Sequence, residues 1–534
     1  MSPGTLIGAT EITDTKDPNF PAGARAWRVL YVSTGGDNSQ RTLVCGVVVA
    51  PSSATKLFAA GKGSAATGRV VDWDHGTLGV TARCQPSANP DEEIWGAPPY
   101  GINTVSWGTA ANGDAHVGTP QDGILQGMIN SGWIVTATDY YDGLSGGPQY
   151  TPYTLGKIEA ANSLDLVRAA SFLLTEKLSG YPLRAYDLIA WGHSQGGHAA
   201  LWTAQLTTSY LKATSTPHDP PVTLSGVAAE APAGNFITFP GQAGTAPGYG
   251  LLDWVMHTNI RLTGLPTSIA AVAFFNSYLL GPWSGYSEDP APSRSEMPAY
   301  PATGSLQLPA LLTPQAITAL PGIADLCWTS ADAPKIVKQT AAFTSQPFYL
   351  PSISNGATIN GFQHGNLDHT CASDPPAAVA ALCSWLTYNN PGPLGTSGLS
   401  KLPVNQDGVL VPVMIANGSN DEVVHCVAAT PQGVVPDAKN CAPTALYGLQ
   451  AGVLPARPRR AGLPGPSHLA ARGRSDDRQP QRHHRPGRRG QHDQPPFRRV
   501  AAAAVHGSRV RRSPASRLLF GRRQQIGLAS GRRR

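Results

Sequence analysis

The run Gly192-His193-Ser194-Gln195-Gly196, continued by Gly197-His198-Ala199-Ala200, holds the residues best suited to covalent chemistry in this chain. A strand-like apolar stretch, Asp187–Trp191, precedes it, and a helical pattern, Gly197–Leu211, follows it. A serine in that setting reads as a nucleophile elbow, a turn so tight that side chains on either side of the serine would clash, so glycine is needed at both places. Such a turn exposes Ser194 at the carboxyl end of its strand. It also aims the next amide, that of Gln195, toward the oxyanion of a tetrahedral intermediate. The plain alternative is a glycine-rich strand–helix turn carrying an idle serine. Strand and helix standing in the right order favour the nucleophile.

Two more motifs fit the same chemistry. Asp74-His75-Gly76-Thr77-Leu78-Gly79 follows the strand-like Arg69–Trp73, and a glycine-rich turn there would supply a second oxyanion amide. Asn417-Gly418-Ser419-Asn420-Asp421-Glu422-Val423-Val424 ends a short strand in a turn bearing an acid, later in the chain than the nucleophile. Asp421 is therefore expected to accept a hydrogen bond from a catalytic imidazole, fixing its tautomer and stabilising its charge. The adjacent Glu422 should point elsewhere. Alone, the first motif would be an ordinary loop and the second a solvated turn acid.

Short apolar runs alternate with helical patterns over the first 230 residues. Trp27–Val32, Thr42–Ala50, Arg69–Trp73, Trp133–Thr138, Asp187–Trp191 and Val222–Ala229 read as strands. From Lys157 to Leu178, Ile158, Ala161, Leu164, Val167 and Leu174 recur at helical spacing. Strands alternating with helices imply crossover connections and a mostly parallel sheet. Residues 232–370 break the rhythm with Pro/Gly-rich loops and apolar helical pieces, Thr267–Leu280 and Ala310–Leu320, each behind a proline (Pro266, Pro309). This stretch reads as a helical cap inserted between core strands. The rhythm returns with a helix over Pro376–Tyr388 and a strand over Gly408–Ala416. The expected division is thus a core from 1–231 and 371–453, a cap from 232–370, and a tail from 454–534.

Together the motifs resemble the secretory lipase family of the α/β-hydrolase superfamily, the group of yeast lipase A. The resemblance rests on Ala26-Trp27-Arg28-Val29-Leu30-Tyr31, His75-Gly76-Thr77 and Arg83-Cys84-Gln85-Pro86-Ser87. It extends through Thr138-Asp139-Tyr140 with Gly143-Leu144, Gly192–Ala200, and Asp421-Glu422-Val423-Val424. It implies an α/β-hydrolase core, secretion, a helical cap over an acyl-binding tunnel, and ester hydrolysis with no metal or other cofactor. It also implies a disulfide between Cys84 and Cys327 and an oxyanion residue in the turn near Gly79. The family's catalytic histidine lies on a loop after one further strand, and Leu463-Pro464-Gly465-Pro466-Ser467-His468-Leu469 resembles that loop, which makes His468 the candidate base. His425 stands only four residues past Asp421 and reads as a loop residue. The elbow sets His193 and His198 to face away or pack, and His364, His369, His483, His484 and His506 carry weaker claims.

Composition sets the last residues apart. Residues 454–534 hold 21 arginines, no lysine, tryptophan or tyrosine, and only 3 of the 34 acidic residues. The rest uses 10 Lys and 9 Arg, so lysine is not avoided there. A basic tail for nucleic acid or an anionic membrane is one reading. An altered reading frame in a GC-rich gene explains the lost lysine better. Leu454–Arg460, with two prolines and three arginines, makes a poor core strand. Such a segment is expected to stay disordered, to hold any histidine near Ser194 loosely, and to leave a weak esterase.

The seven cysteines form no CxxC pair and no zinc spacing, and several sit in Pro/Gly-rich loops, which suits disulfides and an oxidising compartment. Cys45, inside the apolar run Leu43–Val49, is expected to be the free thiol. Met1-Ser2-Pro3-Gly4 opens with neither a basic nor an apolar leader region, and no stretch is apolar for long enough to span a membrane. The expected activity is carboxylic ester hydrolysis on a small-molecule ester or lipid, with the apolar cap as a possible lipid contact. Another hydrolase chemistry, such as peptidase or acyltransferase, and a product lacking its histidine are the alternatives.

Overall fold

A mixed eight-stranded sheet organises the protein. Its strands are β1 (Leu6–Glu11), β2 (Ala24–Thr34), β3 (Arg41–Pro51), β4 (Thr67–Asp74), β5 (Ile134–Thr138), β6 (Ala185–His193) and β7 (Val222–Glu230), then β8 and β9 (the hairpin Ala357–Ile359 and Phe362–His364, outside this sheet), and β10 (Val413–Ala416). The sheet order is β1-β2-β3-β5-β4-β6-β7-β10. The pairs β1–β2, β2–β3 and β3–β5 are antiparallel, while β5–β4, β4–β6, β6–β7 and β7–β10 are parallel. This is the mostly parallel sheet with crossover helices that the alternating pattern predicts. The computed structural model describes residues 1–13, 19–35, 41–53, 67–95, 102, 123–141, 150–178, 185–234, 236, 268–288, 306–328, 331–344, 348–350, 357–359, 362–364, 371, 377–391, 403–416, 427–430 and 433–436.

Two apolar layers cover the sheet. On one face lie α2 (Gly156–Lys177) and α3 (Gln195–Thr214); on the other lies the short α1 (Ile124–Asn130). The strands obey period two: Val70 on β4 belongs to the layer under α2, and its neighbours Val71 and Trp73 to the opposite layer with Trp95 and Trp191. Helix α2 is buried almost throughout, including Lys157, Glu159, Asp165 and Arg168. Two of these charges pair with each other: Arg168 bonds Asp165, and Asp165 also accepts from Ser33 and Tyr210.

Four further helices follow: α4 (Ser268–Glu288), α5 (Pro314–Ala324), α6 (Ala333–Thr340) and α7 (Ala377–Asn389). Helix α4 runs eight residues past the predicted end, straight through Pro282. Its aromatic side hides Phe274, Tyr278 and Trp283 in the same apolar layer as α2 and α3, and Trp283 Nε1 donates to the Tyr153 carbonyl at 2.9 Å. Among the described residues, no helix is long and apolar enough to cross a membrane.

Candidate active site

Ser194 stands between the end of β6 and the first residue of α3, with φ 58° and ψ −119°. Few non-glycine residues adopt a positive φ, and holding one there costs about 1–3 kcal/mol. The neighbourhood over-determines it: the Ser194 amide donates to the Glu230 carbonyl at 2.8 Å, and its own carbonyl accepts from Ala233 at 2.9 Å and His198 at 3.2 Å. The flanking glycines are obligatory. A Cβ at Gly192 would come within 2.2 Å of the Gly196 carbonyl, and one at Gly196 within 1.7 Å of the Asp74 carbonyl. The serine itself is partly exposed, while Gln195 behind it is buried. The Gln195 amide sits at the N-terminus of α3, where the helix dipole favours developing negative charge.

A strained serine on a glycine-locked strand–helix turn has the geometry of the nucleophile elbow expected from the sequence. Residues 118–258 match the secretory lipase family. The matched span contains the elbow, β5, α2 and α3. No curated protein matches the chain. Among solved structures, the chain is similar to the rice cell wall degrading esterase LipA from Xanthomonas oryzae, with 16% identity over 79% of this chain and 85% of that one and a TM-score of 0.46. It is also similar to Candida antarctica lipase A, with 16% identity over 79% of this chain and 71% of that one and a TM-score of 0.42.

The turn after β4 lies beside the Ser194 elbow. A Cβ built on Gly76 would stand 3.9 Å from the Ser194 Cβ and 3.2 Å from the His193 carbonyl. Gly79, the glycine singled out from the sequence, instead lies against the disulfide: a Cβ there would be 2.5 Å from Cys84 Sγ and 3.2 Å from Cys327 Cα. Its φ of 141° also demands glycine. Thus the structure places Gly76 next to Ser194 and gives Gly79 the close approach to the sulfur bridge. His75 is buried, stacked on Tyr140 with centroids 4.5 Å apart, and its Nδ1–H donates to the Gly76 carbonyl at 2.8 Å. Thr77 Oγ1 and Tyr153 OH share a hydrogen bond of 2.8 Å.

Cys84 and Cys327 are joined, as the family resemblance implies, with Cα atoms 5.3 Å apart. Trp328 N–H adds a backbone bond to the Leu78 carbonyl at 2.7 Å, and Arg83 pairs with Asp332 at 2.8 Å. The turn after β4 is therefore fastened to the segment after α5. Cys327→Ser should cost about 2–5 kcal/mol in urea unfolding, because the bridge spans a separation of 243 residues. A loss below about 1 kcal/mol would mean that packing and the Trp328 bond hold the turn unaided. A second bridge, Cys371–Cys383, closes a separation of 12 residues and carries no sequence motif that announces it. Cys45 is a free thiol, half-buried in β3, and burial pushes its pKa up to about 11.

Of the other predicted residues, Asp421 and His468 lie outside the described residues, as do His425, His369, His483, His484 and His506. His193 is exposed and His198 is fully buried. Among the described residues, no group of three His, Cys, Asp or Glu could hold a metal ion.

Burial shapes the titration of the surrounding groups. Asp72 and Asp74, neighbours on one face of β4, are both pushed up by burial, Asp74 further by the charge of Asp72. Burial raises Asp139 to about 6 against the hydrogen bonds of Ser87, and Glu230 to about 7 against that of Trp191. His75 falls to about 4, again through burial. A carboxyl with a raised folded pKa holds its proton more tightly when folded. Its contribution is complete at acid pH and is lost as pH rises through 6 to 7. His75 does the reverse, losing its contribution as pH falls from 6.5 toward 4. Five buried carboxyls (Asp72, Asp74, Asp139, Asp165 and Glu230) oppose His75 and Lys157, both lowered by burial, so the fold should be more stable at pH 5.5 than at pH 8. Calorimetry at the two pH values checks this; a higher Tm at pH 8 would contradict it.

Proposed function

We propose that the protein is a carboxylic ester hydrolase of the lipase or esterase kind, and the observation that carries this is the φ 58° nucleophile turn at Ser194. Ser194 Oγ attacks the ester carbonyl and forms an acyl-enzyme. The Gln195 amide and an amide of the turn after β4 receive the oxyanion. Gly79 was expected in that second role; the closeness of Gly76 to Ser194 supports the His75–Thr77 part of the same turn. Asp421 is the proposed triad acid. Strand β10 runs parallel to β7 and so ends at the same sheet edge as Ser194, five residues before Asp421. His468 is the proposed base, taking the serine proton and returning it to the leaving alcohol. No cofactor is required by this chemistry.

The substrate we infer is a small apolar acyl ester. The 232–370 region, proposed as the cap, is rich in Leu, Ile, Ala and Phe, which suit a hydrocarbon chain better than a charged group. Secretion fits the two disulfides and the family match. The test is turnover of p-nitrophenyl esters against peptide anilides at equal concentration. Ester cleavage at least about 100-fold faster is expected; the reverse preference would point to a peptidase. The arginine-rich composition of 454–534 favours a second reading for the histidine, that of a chain impaired by a frame change. Dependence of turnover on His468, tested by His468→Ala, separates a working tail from that reading.

A further inference from the structure

Behind the elbow, on the side away from the exposed serine face, polar groups from three helices interlock. Glu159 of α2 is fully buried, and its Oε1 accepts from the Thr154 amide at 2.9 Å and from Gln195 Nε2 at 2.8 Å. Its Oε2 faces His198 Nδ1 at 3.1 Å. The other ring nitrogen, His198 Nε2, faces the carbonyl of Asn389, the last residue of α7, at 2.8 Å. A carbonyl only accepts, so Nε2 carries a hydrogen. Trp202 Nε1 donates to the same carbonyl at 3.2 Å. Glu159, His198 and Asn389 expose nothing to solvent, and Gln195 only 2%.

A buried carboxylate with this many partners is expensive to desolvate, and apolar side chains would fill the space at lower cost. What the network does instead is fix direction. Gln195 is the residue whose main-chain amide is read as an oxyanion donor, and its side chain is held from behind by Glu159. We propose that Glu159 and His198 are positioning residues for that amide, a proposal that rests on Ser194 being the nucleophile. Glu159 stops the first turn of α3 from rotating about the strained serine. His198, one turn further on, sets α3 against the end of α7, the last described helix before β10. Neither residue touches substrate; each acts through the peptide between Ser194 and Gln195.

The turnover arm compares three variants on a p-nitrophenyl ester. Glu159→Ala should lower kcat about 100-fold with KM within about threefold, since a misplacement near 1 Å costs that much. Glu159→Gln should recover to within about tenfold of the parent: its oxygen still accepts from Gln195 and Thr154, and its amide can donate to His198 Nδ1. Gln195→Ala, a good helix-former at a helix start, keeps the fold and should lose kcat about 10-fold or more. Parental kcat in folded Gln195→Ala, or equal damage in both Glu159 variants, would overturn the proposal. A second arm needs no turnover. In protein labelled with 15N-glutamine, the Gln195 side-chain amide should be slow to exchange with solvent, and in Glu159→Ala that protection should vanish and the Gln195 main-chain resonance should move. A freely exchanging Gln195 side chain in the parent overturns the proposal. An inert parent with the protected amide intact instead counts against the esterase reading and leaves the network's geometry established.

Discussion

Ser194→Ala is expected to remove about 10⁴–10⁶ of ester turnover while leaving the fold intact, the usual cost of losing the nucleophile of a triad. The alanine loses only Oγ. The main-chain bonds that lock the turn, Ser194 amide to Glu230 and Ser194 carbonyl to Ala233, survive. Labelling by a fluorophosphonate should disappear together with turnover, and the Tm should change little. Full labelling of the alanine variant would move the nucleophile elsewhere and remove the foundation of the functional reading. Residual turnover at the level of an oxyanion hole alone, about 10³–10⁴ over water, would be compatible with it.

The second large effect concerns a residue with no side chain. Gly196→Ala puts a methyl 1.7 Å from the Asp74 carbonyl and 2.6 Å from the His75 carbonyl, both main-chain atoms with nowhere to go. Either β4 or the start of α3 must shift. A cost of about 3 kcal/mol or more is expected, above the usual range for overpacking, because no flexible side chain can absorb the clash. Activity should fall further than stability requires. The displaced element carries the turn at Gly76 or the amide of Gln195, so the surviving folded fraction should show kcat down about 100-fold. Urea unfolding and turnover per folded molecule separate the two effects. A folded variant of parental stability would show that the contact relaxes without moving the turn.

Much of the framework was legible in the residues. Arg69–Trp73, Asp187–Trp191 and Val222–Ala229 lie inside β4, β6 and β7, and the predicted helix Lys157–Leu178 departs from α2 by one residue at each end. Hydrophobic period and glycine spacing are local properties, and these elements express them strongly. The edge strand β1 escaped, since its residues are half exposed and its identity as a strand comes from pairing with β2. Sheet order is a matter of long-range contact and has no local signature. In the site, Ser194 and its two glycines were readable because the constraint is short-range. Gly76 and Gly79 stand three residues apart in one turn, and only the positions of Cys84 and Ser194 in space assign Gly79 to the sulfur bridge and Gly76 to the serine. Glu159 offered no signal, because a glutamate on a helix reads as solvent-facing until a third layer is known to cover it.

The two sulfur bridges also impose an order of events on the newborn chain. Cys371 and Cys383 are 12 residues apart and meet almost as soon as α7 forms, whereas Cys84 must wait for a partner 243 residues further on. During that interval the Cys84 thiol is unpaired while the half-buried Cys45 is already present nearer in the chain. Closing so long a loop is slow, and premature pairing is the natural trap. Productive maturation therefore calls for an oxidising compartment with a thiol–disulfide shuffling catalyst, and yield from a reducing host should be limited by chains that lack the Cys84–Cys327 bridge.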